Sequence, residues 1–315
     1  MGNINSNYPA PHPDIAWQDG NIVRWEDCVV HVRTQAGFFG ANIFEGIRAY
    51  WNSSEERLYV FRLDEHLKRL HQSMKIMRMI SPYSSDELKM ATLNLLKQCD
   101  FRQHAQANIV SCFGFPAPGD PLSANARVGA NITAVPMGRS VKTETGLSAG
   151  ISSWRRITDD AMPIRVKIGS NYQNGRLAQN QVSDAGYEMA LLQNSNGKVC
   201  EAPGACIFML RDGQLITPPL TSDILESITR DTVLELAKRY TNLKVVERDI
   251  DKSELYLADE AFICGSIIEI TPITSVDGIQ INQAIPGAVT REIQTLYFSA
   301  VEGRLAESEN WCTPV

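Results

Sequence analysis

Tyr187 to Thr217, reading YEMALLQNSNGKVCEAPGACIFMLRDGQLIT, is the stretch that decides the fold class. Its apolar runs are short: Tyr187 to Gln193, Lys198 to Glu201, Cys206 to Leu210 and Leu215 to Thr217. Asn196-Gly197 and Asp212-Gly213 punctuate them, and both dipeptides favour the primed turns that join antiparallel strands. The stretch therefore reads as a β-meander. Downstream, a helix is expected from about Thr229 to Tyr240 and a strand from Glu260 to Cys264.

Upstream, strand and helix signals mix. Arg57 to Phe61 reads as a strand, and Asp64 starts a helix. In that helix Leu67, Leu70, Met74 and Met77 form one apolar stripe at helical spacing. Ser84 with Glu87 makes a capping box for the next helix, with Leu88, Ala91 and Leu95 turned inward. Asn108 to Phe115 and Val128 to Val135 are further strands. The polar stretch Met137 to Thr145, flanked by proline and glycine, lacks apolar periodicity and marks a boundary. The expected plan is a small domain over 1–136, an interdomain loop at 137–145 and a larger domain over 146–315. Its class is α+β with antiparallel sheets. No G-x-G-x-x-G follows a strand, which disfavours a dinucleotide fold.

Composition narrows the function classes. In 315 residues, 43% hydrophobic and 21% charged content supports a sizeable core and excludes an intrinsically disordered chain. The formal charge, 36 acidic against 30 basic residues, is −6, which argues against a general nucleic-acid surface. No apolar run approaches the roughly 20 residues of a bilayer span, so no membrane partner is expected. The first thirteen residues have no signal-peptide pattern. Met1-Gly2 with Ser6 fits a myristoylation pattern short enough to arise by chance. The seven cysteines are scattered and never form C-x-x-C, so reduced thiols in a cytoplasm are expected. The histidines lack H-x-x-H spacing, and no metal site is expected.

Three places carry candidate chemistry. Lys167 lies in the strand-like run Ile164-Arg165-Val166-Lys167-Ile168, before Gly169-Ser170-Asn171-Tyr172. Desolvation at a strand end would make it an amine nucleophile; on an edge strand's outer face it would be a plain solvated lysine. Glu201 precedes Ala202-Pro203-Gly204, as a partner for a protonated ring nitrogen or as a surface turn residue. Ser227-Ile228-Thr229-Arg230-Asp231 opens a helix, as an anion site or as an ordinary threonine cap.

Read together with the rest of the chain, these residues resemble a family. The carriers begin with Val23-Arg24-Trp25-Glu26-Asp27, Phe44-Glu45-Gly46-Ile47-Arg48 and the run from Phe61 to Leu70. They continue with Ser152-Ser153-Trp154-Arg155-Arg156, Lys167 with Gly169, Asn171 and Tyr172, and Asp184-Ala185-Gly186-Tyr187-Glu188. Thr217-Pro218-Pro219, Ile228 to Asp231, Leu255 to Glu260, Glu269-Ile270-Thr271-Pro272 and Ser275 to Gly278 complete the series. In this order they resemble fold-type IV pyridoxal-phosphate enzymes, and most closely the branched-chain amino-acid aminotransferases. The resemblance implies a two-domain, D-amino-acid-aminotransferase-like fold with a small α/β N-terminal domain and a larger pseudo-barrel C-terminal domain. It also implies pyridoxal 5'-phosphate as cofactor, an amino donor and a 2-oxo acid as substrates, and a homodimer.

The same resemblance assigns roles. Lys167 is implied as the Schiff-base lysine and the base that moves the α-proton. Glu201 is implied as the partner of the pyridine nitrogen, keeping the ring protonated. Arg69, on the helix flank away from the apolar stripe, is implied as a phosphate clamp, with Ile228, Thr229 and Ser266 at the same phosphate and Gly204 beside the cofactor. Tyr172 and Arg156 match a pair near the ring hydroxyl. Without the resemblance, Arg69 and Arg156 would read as members of surface ion pairs.

Against this intact cofactor set, the substrate positions depart from the family. Phe39 stands where a tyrosine is usual, and Asn108 and Val110 stand where a tyrosine and an arginine bind carboxylates. Met137 and Ser140 replace a tryptophan and a tyrosine, and Ile267 and Ile268 replace two small residues. Phe44 is retained. Losing the cation for a buried carboxylate would cost several kcal/mol unless replaced. Arg139 is one replacement candidate, or a solvated loop residue. Arg165, two residues before Lys167 on the same strand face, is another, or a brace at the domain interface. An aminotransferase with a non-standard substrate is the leading expectation. The alternatives are a lyase of the aminodeoxychorismate-lyase type and a non-catalytic binding protein.

Overall fold

The computed structural model describes residues 12–123, 125–282 and 285–315. Its chain packs into two compact units. The first takes the chain up to Gly138 together with Val166–Ser170 and Ala300–Val315; the second is Arg139–Arg165 with Asn171–Ser299. A single domain over 146–315 was expected, but two of its segments are drawn into the first unit by backbone pairing. Ile168 bridges Ile43, and the strand Cys312–Pro314 pairs with Arg57–Phe61.

The first unit holds a seven-stranded sheet. Its order is Cys312–Pro314, Arg57–Phe61, Asn42–Asn52, Ala105–Phe113, Val128–Pro136, Ile15–Gln18, Asn21–Arg24, and all of these neighbours run antiparallel. The helices Leu63–Ile76 and Ser85–Cys99 pack against it. The capping box forms: the Ser84 hydroxyl accepts from the Glu87 amide, while the Glu87 carboxylate accepts from the Ser84 amide. Leu67, Leu70 and Met74 are buried, but Met77 lies past the helix end.

The second unit holds a ten-stranded sheet. Six of its strands close on themselves: Ala205–Arg211, Glu260–Gly265, Glu269–Val276, Leu147–Arg155, Met189–Gln193 and Lys198–Ala202, the last pairing back to the first. The meander from Met189 to Thr217 forms with every successive pair antiparallel. The expectation of wholly antiparallel sheets needs correction, because Leu147–Arg155 is parallel to both of its neighbours, and Gln214–Thr217 is parallel to Lys244–Glu247. The parallel joins follow from crossovers through helices, such as Tyr172–Asp184 ahead of Met189–Gln193. The circuit encloses Leu191, Val199, Ile207, Met209, Ile263 and Ile273, each at most 2% exposed. Burying such a side chain contributes roughly 1.5–3 kcal/mol.

The two dipeptide turns differ. Asp212 and Gly213 are both left-handed, at φ 49° and 69°, as a type I′ hairpin requires. At Asn196-Gly197 only Gly197 is left-handed, at φ 75°. There the Gly197 amide donates to the Asn194 carbonyl and the Asn194 amide to the Lys198 carbonyl, a three-residue loop with a bulge. The Asn194 side chain, accepting from the Asn196 and Lys198 amides, selects that loop.

Candidate active site

In the first unit, the strand Asn42–Asn52 is only partly covered along one edge: Arg57–Phe61 pairs with Ala49 to Asn52. Lys167 occupies the edge further down. Its carbonyl accepts from the Phe44 amide at 3.0 Å, and its own amide donates to Ser73 Oγ at 3.2 Å. Ile164 to Ile168 is therefore not the strand its apolar alternation predicts. The Ile168 amide bonds the Val166 carbonyl at 3.0 Å, a three-residue turn that leaves only the Ile168 bridge to the sheet. Lys167 is half-buried, and its Nζ lies 4.7 Å from the centroid of the Phe44 ring, within cation–π range.

On the opposite face of the same strand, Glu45 is fully buried. Arg69 donates to it through two nitrogens, Nε to Oε1 at 2.7 Å and Nη2 to Oε2 at 2.6 Å, and His66 Nδ1 lies 2.7 Å from Oε2. Burial pushes the Glu45 pKa up, but the Arg69 charge and the hydrogen bonds from Arg69 and His66 prevail and hold it at about 2. Burial lowers the His66 pKa, the nearby Arg69 and Lys167 charges add to that, and they outweigh Glu45. His66 is thus a neutral imidazole donating through Nδ1. Arg69, off the apolar stripe, is nonetheless only 8% exposed, so it is not the surface ion-pair residue of the alternative reading. His66, Arg69 and Ser73 follow one another at i, i+3 and i+7, making a polar ridge beside the apolar one. Glu45 is the reason: a carboxylate buried among Ile43 and Ile47 requires a cation from the facing helix.

The Phe44 face of the strand continues through Gly46 and Arg48. Directly across lie Val110, Asn108 and Gln106. Gln106 Nε2 donates to Asn108 Oδ1 at 2.9 Å, and a Cβ on Gly46 would come within 3.1 Å of that same Nε2. Arg48 is 2% exposed and reaches the Gly138 carbonyl at 3.4 Å. The buried Gln106 Oε1 has no hydrogen-bond partner among the described residues. Phe39 ends a short helix, half exposed, with its ring edge-on to Phe38.

In the second unit, Glu201 sits near the end of Lys198–Ala202, 6% exposed. Arg156 Nε lies 2.7 Å from Oε1, and the Leu225 amide donates to Oε2 at 3.1 Å. The pair offsets the cost of burying this carboxylate. Arg156, expected beside Tyr172, is thus engaged with Glu201. Gly204 is left-handed, at φ 78°, at the tip joining this strand to Ala205–Arg211. A Cβ there would lie 3.8 Å from the Tyr172 ring, and one on Gly265 only 2.9 Å from the Gly204 carbonyl. Close backbone approach thus places the Gly265-Ser266 turn against the Gly204 tip. Ile267, next in that turn, is exposed, whereas Ile268 packs on the core.

The helix Ile228–Tyr240 is capped by Ser227, whose hydroxyl accepts from the Arg230 amide. The amides of Ile228 and Thr229 precede it in the first turn, where no intrahelical carbonyl can accept them. Arg139 does not extend freely into water. Its guanidinium stacks 3.8 Å from the Phe298 centroid and lies 3.7 Å from the buried Glu269 carboxylate, beside a cavity of about 500 Å³. Arg165 is held by Glu226 at 2.9 Å and by Asp159 at 3.6 Å; without a strand, its expected shared face with Lys167 does not exist.

Among the described residues, no group of three or more His, Cys, Asp or Glu side chains could hold a metal. The donor chemistry fits pyridoxal phosphate: an amine for the aldehyde, a buried carboxylate for the ring nitrogen, and a guanidinium with helix-start amides for the phosphate. Glu45, His66, Ser73 and Arg48 were missed as functional candidates. One signal was legible: Glu45 interrupts the apolar alternation of Ile43, Ile47 and Ala49.

The chain matches the amino-transferase class IV family over residues 42–276. A probable branched-chain-amino-acid aminotransferase of Aquifex aeolicus is 36% identical over 302 residues, 96% of this chain and 97% of the relative. The branched-chain-amino-acid aminotransferase of Escherichia coli K12 is 36% identical over 305 residues, with the same coverage. Among solved structures, the PLP form of the Thermobaculum terrenum branched-chain amino acid aminotransferase superposes with a TM-score of 0.90. It is 38% identical, covering 96% of this chain and 98% of that one.

Proposed function

The chain belongs to the class IV aminotransferases, and from that premise we propose that it moves an amino group between an amino acid or amine and a 2-oxo acid outside the usual branched-chain set. It is an aminotransferase of the branched-chain type in its fold, and pyridoxal phosphate is its cofactor. When bound, that cofactor supplies an electron sink for breaking the Cα–H bond. Lys167 Nζ would take up and return the substrate's α-proton, its backbone fixed by Phe44 and Ser73 so that the amine alone moves. Glu201, braced by Arg156, holds the ring-nitrogen proton. Arg69, the helix start at Ile228 and Thr229, and Ser266 hold the phosphate.

The observation that carries this reading is the twice-anchored Lys167 with its amine over Phe44. The altered pocket rests on the Phe44 face. Val110 and Asn108 supply no cation there, and Arg48, two residues beyond Gly46, is the charge that remains. Arg139 and Arg165 already have carboxylate partners. A screen of amino donors and 2-oxo acids, followed by cofactor absorbance in each half-reaction, tests the proposal. Preferred exchange of leucine with glutamate over every other pair would overturn the substrate reading. Failure of both half-reactions across the panel would overturn transamination.

A homodimer is the assembly we infer. Val29, Val32, Phe38, Phe39, Phe115 and Leu122 are large apolar residues between 44% and 70% exposed, all in the first unit. A second copy would cover them. Light scattering of the holoenzyme checks it, and a fully active monomer would refute it. A cytoplasmic location is proposed from the seven free thiols, four of them buried. No described helix is long and apolar enough to cross a membrane.

A further inference from the structure

Glu45 and His66 have no role in the chemistry just described, yet with Arg69 they form a buried polar cluster in the first unit. We infer that Glu45 and His66 are positioning residues for cofactor-phosphate capture, locking the Arg69 guanidinium in one orientation. The inference rests on the reading that Arg69 faces the phosphate.

A guanidinium offers five N–H donors in a rigid plane. Glu45 takes two of them, from Nε and Nη2, on one edge of that plane. The plane of the guanidinium is then fixed, whereas an arginine on a flexible stem would have to be ordered by the ligand at an entropic cost. Glu45 cannot turn away, because it is fully buried and its Oε2 is also held by His66 at 2.7 Å. His66 is anchored in its turn by its backbone amide, which donates to the Arg62 carbonyl at 3.1 Å. The charge arithmetic agrees. With His66 neutral, Glu45 and Arg69 sum to zero, so no uncompensated charge is buried in the absence of a phosphate. The same helix face fixes Lys167 through Ser73, four residues beyond Arg69. One helix thereby sets both the phosphate clamp and the amine.

The test uses full-length enzyme stripped of cofactor and titrated with pyridoxal phosphate and, separately, with pyridoxal, which lacks the phosphate. Glu45→Gln is close in shape but sets an amide N–H₂ against N–H donors. It is expected to weaken pyridoxal phosphate about 10- to 100-fold while leaving pyridoxal within about 3-fold. His66→Leu is expected to show a smaller loss of the same kind. His66→Asn, whose amide nitrogen stands in for Nδ1, is expected to restore most of it. Arg69→Met is the control. If Arg69→Met lowers the preference for the phosphorylated form but Glu45→Gln does not, the positioning inference fails alone. If Arg69→Met leaves that preference unchanged, the phosphate reading itself fails. Equal losses for both ligands in Glu45→Gln would mark a structural role only and overturn the inference.

Discussion

Each unit buries an arginine–glutamate pair at a proposed site position, and the two are built in opposite senses. In the first, Glu45 is fully enclosed and grips Arg69 through two nitrogens, so the acid serves the cation. In the second, Arg156 Nε lies 2.7 Å from Glu201 as an ion pair without hydrogen-bond geometry, and a backbone amide donates to the same carboxylate, so the cation serves the acid by its charge. The pairs are alike in composition but differ in enclosure: Glu45 is sealed beneath Arg69, whereas Arg156 and Glu201 are almost equally buried. An arginine–glutamate contact therefore cannot be assigned a role until its geometry and enclosure are known.

The largest expected effect removes what both pairs support. Lys167→Ala is expected to lower turnover at least about 10⁴-fold, measured in single-turnover half-reactions, with both ion pairs unchanged. Ordinary turnover in that variant would end the assignment. Glu201→Gln tests the second pair and is expected to lower kcat about 10²- to 10³-fold while cofactor affinity changes little. An affinity loss without a kcat loss would mean that the two pairs do not differ as described.

Acidification tests the first pair. Glu45 titrates at about 2 in the folded chain against 4.5 for the free group. Its contribution is whole above pH 4.5 and is lost as pH falls from there toward 2, roughly 3 kcal/mol in all. His66, its pKa lowered by burial, acts earlier: below its ordinary value the unfolded chain takes up the proton first, and stability falls. Urea unfolding across this range is expected to show a flatter acid limb in Glu45→Gln. An unchanged limb would mean that the Arg69 contact contributes nothing. The smallest effect is the remote control: Ser84→Ala removes one side of the capping box, at about 1 kcal/mol, and should leave both cofactor affinity and kcat unaltered.

How far the sequence led depends on the range of the forces involved. The Ser84–Glu87 box and the Asp212-Gly213 turn were legible because each is decided within four residues. Asn196-Gly197 was only half legible, since the neighbouring Asn194 side chain changed the loop. Lys167 was legible as a motif residue but not in its conformation. The alternation around it resembles a strand, yet its backbone partners, Phe44 and Ser73, lie 123 and 94 residues away. Glu45 was overlooked for the same reason, its partners being 21 and 24 residues distant.

The turn that presents Lys167 has one more consequence. It stoppers the stretch of the strand Asn42–Asn52 that Arg57–Phe61 leaves open, so the Phe44 amide is not offered to a neighbouring chain. Unguarded strand edges are templates for intermolecular pairing. Local melting of this turn would remove the amine and uncover an adhesive edge together, which ties loss of catalysis to the onset of aggregation.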